Sequence, residues 1–135
     1  MKRSRLTSDP QKAREWQERS RGSLRSRGRQ KEAERDAERA IRERVFARDR
    51  RCVLDVVDPS HKCNGPLTPH HRRKASSGGA YSMANLISVC ASGNGDIEDR
   101  PAYYRHHFPF LVVREGDAEF ESLGRRAHRI EQAFE

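Results

Sequence analysis

The chain has 135 residues, of which 33% are hydrophobic and 36% are charged, with a formal net charge of +8. This length and composition predict one compact unit with a modest core, plus an extension. No stretch approaches the roughly 18 apolar residues of a membrane span, and the charged start lacks the apolar run of a secretion signal, so we expect a soluble, intracellular protein with no membrane partner.

The positive charge is concentrated at the N-terminal end. Residues 1–51 hold 18 Lys or Arg and 9 Asp or Glu, a balance of +9, whereas residues 52–135 balance to −1. A concentrated cationic arm attracts a polyanion through counterion release, and the guanidinium group matches phosphate geometry. We therefore expect a nucleic acid as partner. The alternative is a solvated charged helix that merely keeps the protein soluble.

The N-terminal third is predicted to be helical. Pro10 suits the first turn of a helix that should run to about Ser20. Residues 21–29, RGSLRSRGR, should interrupt it because glycine and serine weaken helices. From Gln30 to Arg50 the helical pattern resumes. Apolar residues at every fourth position form a narrow stripe, which is more typical of a face that packs on another element than of a functional site. Its members are Ala33, Ala37, Ile41 and Val45.

The centre of the chain alternates between extended and turn signals. Residues 52–57, CVLDVV, form a β-prone run, and residues 58–66 form a turn-rich loop. The segment up to Arg73 should be extended, because residues before Pro66 and Pro69 are kept from the α region.

The last fifty residues predict shorter elements. Residues 83–90, MANLISVC, either start a helix or return as a strand, and a short helix should run from Asn94 to about Arg105 despite Pro101. Residues 109–117 look like a strand and a turn. A terminal helix should follow, with five apolar residues inward: Phe120, Leu123, Ala127, Ile130 and Phe134.

A pair of histidines opens the segment that carries chemistry. His70 and His71 are followed by a Gly-Gly turn, then Asn85, then the run CASGNGDIE at residues 90–98. This order resembles the ββα-metal motif of HNH endonucleases, in the His-Asn-Asn variant, over about residues 45–105. It implies an α+β fold in which a long basic helical extension precedes a small ββα-metal domain and a short C-terminal helix follows. The implied segments are 1–45, 46–115 and 116–135.

The resemblance also implies roles for the residues of the motif. His70 binds a metal, His71 is the general base for an attacking water, and Asn85 ties the connecting loop to the strands. Asn94 stands where a histidine is usual, and its amide oxygen is a harder ligand that favours Mg²⁺ or Mn²⁺, with Ni²⁺ or Zn²⁺ as alternatives. Glu98 lies four residues further on, so on a helix it would share a face with Asn94 and could supply a carboxylate.

Three cysteines argue for free thiols or a metal site over a disulfide framework. Cys52, Cys63 and Cys90 resemble the family's structural zinc ligands, with Gly93 at the fourth cysteine position. His61 could complete a set of three cysteines and one histidine. Small buried cysteines without metal are the alternative.

The resemblance predicts a metal-dependent, phage-encoded endonuclease that hydrolyses phosphodiester bonds of DNA in the cytoplasm of a bacterial host. Phage packaging proteins are candidate partners, although mobility of a genetic element fits equally. Six basic residues are predicted to contact nucleic acid: Arg42, Arg48, Arg50, Arg72, Arg73 and Lys74. Two alternatives stay open: a non-catalytic nucleic-acid-binding protein with a degenerate HNH fold, and an assembly or RNA-binding protein whose basic helix is the functional part.

Overall fold

The computed structural model describes residues 9–125. Its regular elements, in chain order, are α1 (Pro10–Asp49), α2 (Val53–Val57), β1 (Leu67–His71), β2 (Leu86–Cys90), α3 (Ala91–Asp99) and α4 (Pro101–His107). Short 3-10 helices lie at Ala75–Ser77, Pro109–Leu111 and Glu121–Leu123. Helices combined with one small sheet confirm the predicted α+β class. No helix within residues 9–125 is long and apolar enough to cross a membrane.

The chain divides into two compact units between Ala37 and Glu38. The described part of the first unit is helical, and all its residues are exposed except the half-buried Ser20. The second unit contains the sheet and the hydrophobic core.

The predicted break in the first helix is wrong, because α1 continues through residues 21–29. Gly22 and Gly28 each lower helix propensity, but no proline accompanies them and open space surrounds both. Their Arg, Lys and Gln neighbours are good helix formers.

The predicted β-prone run at residues 52–57 is also wrong, because Val53–Val57 form the short helix α2. Leu54 is fully buried and packs in the core with Cys52 and Val89. Packing therefore decides the local conformation against the β preference of the valines.

β1 and β2 form an antiparallel hairpin, in which His70 lies opposite Ile87. The ambiguous run at residues 83–90 thus returns as a strand. β2 leads directly into α3, and the backbone N–H of Gly93 donates to the sulfur of Cys90 at the start of that helix. The chain therefore folds locally as strand, strand and helix.

The outer edge of β2 is occupied by residues from the end of α1. The backbone N–H of Ser88 donates to Asp49 over 2.8 Å, and Arg48 donates to the carbonyl of Leu86 over 2.7 Å. Further along, the N–H of Cys90 donates to the sulfur of Cys52. Side chains thus satisfy the backbone groups that β1 leaves unpaired.

The predicted helix at residues 94–105 is two helices in the structure. α3 begins at Ala91, and the chain breaks at Arg100 because Pro101 disfavours helical geometry at the residue before it. The predicted strand in residues 109–117 is wrong: a 3-10 helix is followed by turns. The predicted terminal helix is only partly covered. Its described portion contains a 3-10 helix, and residues 126–135 lie outside the described residues.

The core lies between the hairpin and the helices that follow it. It comprises Cys52, Leu54, Val89, Cys90, Ile97, Tyr104, Leu111 and Val112. Two of these residues are cysteines and one is a tyrosine, so the aliphatic core is as modest as the composition predicts.

Candidate functional site

Strand β1 and helix α3 bring His70 and Asn94 into contact. His70 is buried, and its Nδ1 lies 3.3 Å from Oδ1 of Asn94 in the first turn of α3. Its other ring nitrogen, Nε2, lies 2.7 Å from the carbonyl oxygen of Leu111. Two residues 24 positions apart in the sequence therefore meet where the resemblance predicts shared metal ligands.

The hydrogen bonding of His70 suits a cation beside Nδ1. A carbonyl oxygen only accepts, so Nε2 must donate its proton to Leu111. Burial lowers the pKa of His70, against the opposing effects of the bonds to Leu111 and Asn94, and so disfavours a second ring proton. The lone pair of Nδ1 then faces the amide oxygen of Asn94. Two acceptors at this separation fit a shared metal ion, and the backbone bond at Nε2 orients the ring as metal-binding histidines require.

His71 lies beside this pair and is half-buried. Burial lowers the pKa of His71, and the charges of His70 and Arg125 lower it further, so the imidazole is neutral at pH 7. The edge of Tyr81 packs on it, with ring centroids 5.7 Å apart. A neutral imidazole held by an aromatic ring is suited to accept a proton.

A cavity of about 490 Å³ joins these side chains. We call it the histidine pocket and define it by His70, His71, Asn94 and Glu98, all of which line it together with Lys74. Glu98 is exposed, so its carboxylate reaches the pocket from the solvent side. Although neighbouring residues of a strand point to opposite faces, both histidines line this one cavity.

Asn85 holds the loop between the strands. It is fully buried, and its Oδ1 accepts from the backbone N–H of Arg73 over 2.8 Å. Its Nδ2 donates to the carbonyls of Arg73 and Ala80 over 3.0 and 2.9 Å. The amide thus ties both ends of the loop together two residues after His71.

Three of the six predicted nucleic-acid contacts have guanidinium groups with protein partners. Arg72 donates to the carbonyls of Phe110 and Ala84 and pairs with Glu119. Arg73 donates to the carbonyls of Ser77 and Phe120, and its guanidinium lies 3.7 Å from the centre of the Phe120 ring. These bonds connect the loop to the C-terminal segment, which favours a structural role.

Arg48 is the third of these residues, because it bonds Asp49 and two carbonyls around β2. The other predicted contacts, Arg42, Arg50 and Lys74, are exposed. Of these, Lys74 lines the histidine pocket. It is therefore the predicted cation that is best located to meet a phosphate bound there.

A second group of metal-binding side chains lies at the other end of β2. We call it the sulfur cluster. Its ligand atoms all lie within 4.8 Å of one another, and they belong to Cys52, His61, Cys63 and Cys90. Nε2 of His61 is 3.2 Å from the sulfur of Cys90 and 3.9 Å from that of Cys52. All three cysteines are free thiols. The predicted set of three cysteines and one histidine is thus assembled in a geometry that could bind a metal ion.

The thiols of the sulfur cluster differ in acidity. Burial would raise the pKa of Cys90, but hydrogen bonds from Ser92, Asn64 and Gly93 outweigh it and lower the pKa to about 6. Desolvation and the neighbouring sulfurs of Cys52 and Cys90 raise the pKa of Cys63 to about 12. Without a cation, the thiols cannot all ionise at low cost. A bound divalent ion would supply the missing positive charge.

Gly93 shows how His61 joins the sulfur cluster. A Cβ at Gly93 would lie 2.7 Å from Val89, 2.9 Å from Leu54 and 3.2 Å from Cε1 of His61. The imidazole of His61 therefore packs against the position where the family pattern has its fourth cysteine. Absence of a side chain at residue 93 leaves room for this ring.

Sequence reasoning missed three residues that shape the histidine pocket: Leu111, Tyr81 and Arg125. Leu111 contributes a backbone carbonyl, which no side-chain pattern signals. Arg125 approaches because its backbone N–H donates to the carbonyl of Gly78, a contact between distant segments. Tyr81 lies in the stretch AYS after the glycine turn, where an aromatic residue near two histidines was the available signal.

Comparison with known proteins adds no assignment. No protein-family model matches the chain, and no curated protein or solved structure does so. The chemistry of the two donor groups therefore carries the functional argument.

Proposed function

We propose that the protein is a metal-dependent DNA endonuclease of the HNH type. The observation that carries the proposal is the contact between Nδ1 of His70 and Oδ1 of Asn94, 3.3 Å apart in a cavity that His71 also lines. A strand, a strand and a helix bring these groups together, and Asn85 braces the loop beside them. This combination is more specific than any one of its residues.

The residues of the histidine pocket divide into ligands and a base. His70 and Asn94 would hold a divalent ion, and Glu98 could add a carboxylate from the exposed side. One imidazole with two oxygen donors suits Mg²⁺ or Mn²⁺, with Ni²⁺ or Zn²⁺ as alternatives. When bound, such an ion polarises the phosphate and stabilises charge on the departing sugar oxygen.

His71 would act as general base. Its neutral imidazole takes a proton from water, the water oxygen forms a bond to phosphorus, and the bond from phosphorus to the sugar oxygen breaks. The departing oxygen then receives a proton from solvent. Lys74 would hold a neighbouring phosphate oxygen, while Asn85 keeps the loop that follows His71 in place.

We propose further that the sulfur cluster binds zinc. Three thiolates and one imidazole are a typical set for a closed tetrahedral zinc site. Cys52 and Cys90 both belong to the hydrophobic core, so an ion there would crosslink the residue that precedes α2, the loop after α2 and the end of β2. Such an ion would serve folding and not hydrolysis.

We also propose duplex DNA as the substrate, in the cytoplasm of a bacterial host infected by a phage. Contacts to phosphate position a protein without specifying sequence, so binding should depend strongly on salt. Packaging of phage DNA and mobility of a genetic element both fit this chemistry, and phage packaging proteins are candidate partners in the first case.

A second candidate function is non-catalytic nucleic-acid binding by the same fold. Both ring nitrogens of His70 have partners within the protein, at Leu111 and Asn94. A rotated Asn94 amide could donate to Nδ1 and close the pocket without metal. In that case binding would persist while hydrolysis is absent.

The test is nicking of supercoiled plasmid by the full chain in Mg²⁺, Mn²⁺ or Ni²⁺, and the reference is the same reaction with no divalent ion added. His71→Ala is the active-site variant. His106→Ala is its matched control, because His106 is an exposed histidine that does not line the histidine pocket.

The nuclease proposal expects metal-dependent nicking by the parent and the control and its loss in His71→Ala by a factor of about 10² to 10⁴. Metal-dependent nicking that is equal in all three proteins would contradict the role of His71. Binding of plasmid without nicking in any metal would favour the second candidate.

A further inference from the structure

We propose that residues 19–31 of α1 bind the phosphate backbone of duplex DNA without regard to sequence, and that this contact stabilises the helix itself. We call these residues the basic segment. The choice of duplex DNA as the partner rests on the proposed function. That these residues form a surface for a polyanion is inferred from their charge and exposure alone.

The basic segment is distinguished by its charge from the rest of the same helix. Its 13 residues hold six cations and no acidic residue. The next 13 residues, 32–44, hold four cations and five acidic residues, and we call them the mixed segment. Both segments lie in α1, so the positive charge is a local property and does not follow from helix formation.

The cations of the basic segment are available to a partner. All its residues are exposed except the half-buried Ser20. Arg19 forms an exposed ion pair with Glu15 at 3.7 Å, and no salt bridge within residues 9–125 involves the other five cations. Those five are Arg21, Arg25, Arg27, Arg29 and Lys31. Each can therefore exchange water and counterions for a phosphate oxygen.

The spacing of these charges suits a nucleic-acid backbone. At about 1.5 Å rise per residue the segment spans roughly 18 Å, so its six cations, counted around the whole helix, give a charge density of one per about 3.6 Å. One DNA strand presents a phosphate about every 3.4 Å along the duplex axis. Arg21, Arg25 and Arg29 follow one another at intervals of four and so share one face, as a row of phosphate contacts requires.

The composition disfavours two other polyanionic partners. The basic segment contains no aromatic residue, whereas proteins that bind single strands stack bases on aromatic side chains. Leu24 is its one strongly apolar residue, too little to form the apolar face with which an amphipathic helix enters a membrane surface. Duplex DNA needs neither feature.

The same segment is helical in the structure, but it lacks features that would stabilise the helix in the absence of a polyanion. Like charges four residues apart repel, as in the pairs that Arg25 forms with Arg21 and Arg29. Gly22 and Gly28 weaken the helix, and no buried side chain of the segment compensates. Phosphates beside these arginines would remove the repulsion, so we expect DNA binding and helix formation to reinforce each other.

The experiment measures affinity of the full chain for a 30-base-pair duplex over a range of salt concentrations. No divalent ion is added and every protein carries His71→Ala, so cleavage does not contribute. The basic-segment variant is R25Q/R27Q/R29Q. The mixed-segment variant, R35Q/R39Q/R44Q, loses the same net charge from the same helix and is the matched control.

Removing three cations from the basic segment should reduce the magnitude of the negative slope of log K against log salt, where K is the binding constant, by about 2 to 3. Each phosphate contact contributes about 0.9 to this magnitude. Affinity at 150 mM salt should fall at least about tenfold, and the control should change by less than about threefold. In circular dichroism, added duplex should increase helix content in the parent more than in the basic-segment variant.

Equal losses in the two triple variants would overturn the inference, because net charge alone would then explain binding. So would a loss of binding to single-stranded RNA or to phosphatidylserine vesicles while duplex binding is unchanged. The outcome is independent of hydrolysis. A parent that never nicks plasmid defeats the nuclease proposal alone, and a parent that nicks while both variants bind equally defeats the inference alone.

Discussion

The sulfur cluster and the histidine pocket are built on the same short piece of chain, yet their chemistry differs. Cys90 ends β2 and belongs to the first, and Asn94 in the following turn of α3 belongs to the second. The sulfur cluster offers three soft sulfur donors and one imidazole, two of its cysteines being core residues. The histidine pocket offers imidazole, amide and carboxylate donors beside a cavity of about 490 Å³.

The difference indicates a division of labour between holding the fold and reacting with a substrate. Four protein donors can fill the coordination of a structural metal ion, as the four side chains of the sulfur cluster could, whereas a reactive site keeps one position open for water or substrate. Because β2 runs into α3 without a loop, order at Cys90 is transmitted directly to Asn94.

The largest effect is expected from removing a ligand of the sulfur cluster. Cys90→Ala should reduce bound metal and lower the free energy of unfolding by about 4 kcal/mol or more, because metal binding at a structural site contributes to folding. Urea denaturation and elemental analysis measure both quantities. Ser92→Ala is the control: its hydroxyl contacts the Cys90 sulfur without belonging to the cluster. A Cys90→Ala protein with full stability would contradict a structural role.

Removing a ligand of the histidine pocket should have the opposite signature. Asn94→Ala is expected to lower the nicking rate at fixed Mg²⁺ by about 10²-fold, with little change in the urea midpoint, because Asn94 is only half-buried. Asn94→Asp should retain activity, since it keeps an oxygen donor. The exposed Asn64 provides the control variant Asn64→Ala. Loss of stability without loss of nicking would reverse the division of labour.

A smaller effect is expected from adding one methyl group between the two donor groups. Gly93→Ala would bring Cβ within 3.0 Å of Val89 and Leu54 and should cost about 1 to 3 kcal/mol of stability. Gly95→Ala is the matched control in the same helix, because nothing lies within 4 Å of its Cβ position. It should be neutral or stabilising by up to about 1 kcal/mol. Equal effects in the two variants would show that helix propensity, not packing at His61, governs this turn.

The smallest effect concerns a carboxylate outside both groups, which provides a reference for acid sensitivity. Arg105 bonds Asp117 at 2.6 and 2.9 Å and, with the N–H of Arg114, holds the pKa of Asp117 below its ordinary value. A lowered folded pKa contributes stability that is present above the ordinary value near 3.9 and is lost as the pH falls below it. Asp117→Asn should therefore be less stable than the parent at pH 7.

The difference in stability between the two proteins should shrink progressively as the pH falls from about 4 towards 2. Thermal unfolding across pH 2 to 7 measures this difference, with Glu115→Gln as the exposed control. A constant difference over the whole range would show that Asp117 acts through packing alone. In that case any loss of stability of the parent in acid would have to come from the sulfur cluster or the histidine pocket.

The local parts of the fold could be predicted where residue chemistry and backbone preference agree. Pro69 favours an extended chain, and β1 spans it. At Leu54 the two conflict: valines favour a strand, but burial against β2 makes a helix, which no local pattern reports. Gly22 and Gly28 suggested a break where the helix continues. A weak helix former does not end a helix unless another conformation is favoured there.

The candidate site shows the same limit. The order of residues along the chain suggested that His70 and Asn94 lie together, and their side chains are in contact. The carbonyl of Leu111 and the position of Arg125 depend on contacts across 40 or more residues, which one sequence does not display. Charge alone likewise suggested that Arg72 and Arg73 meet phosphate, whereas carbonyls of distant loops accept from their guanidinium groups.

The end of α1 also has a consequence for how this protein behaves in a crowded solution. A sheet of two strands normally presents an open side to which a strand from another molecule can add, the first step of aggregation. Here Asp49 and Arg48 occupy the places on β2 where such a strand would bond. A strand that adds to this edge of β2 would first have to displace an aspartate and an arginine, so these two side chains disfavour self-association through β2.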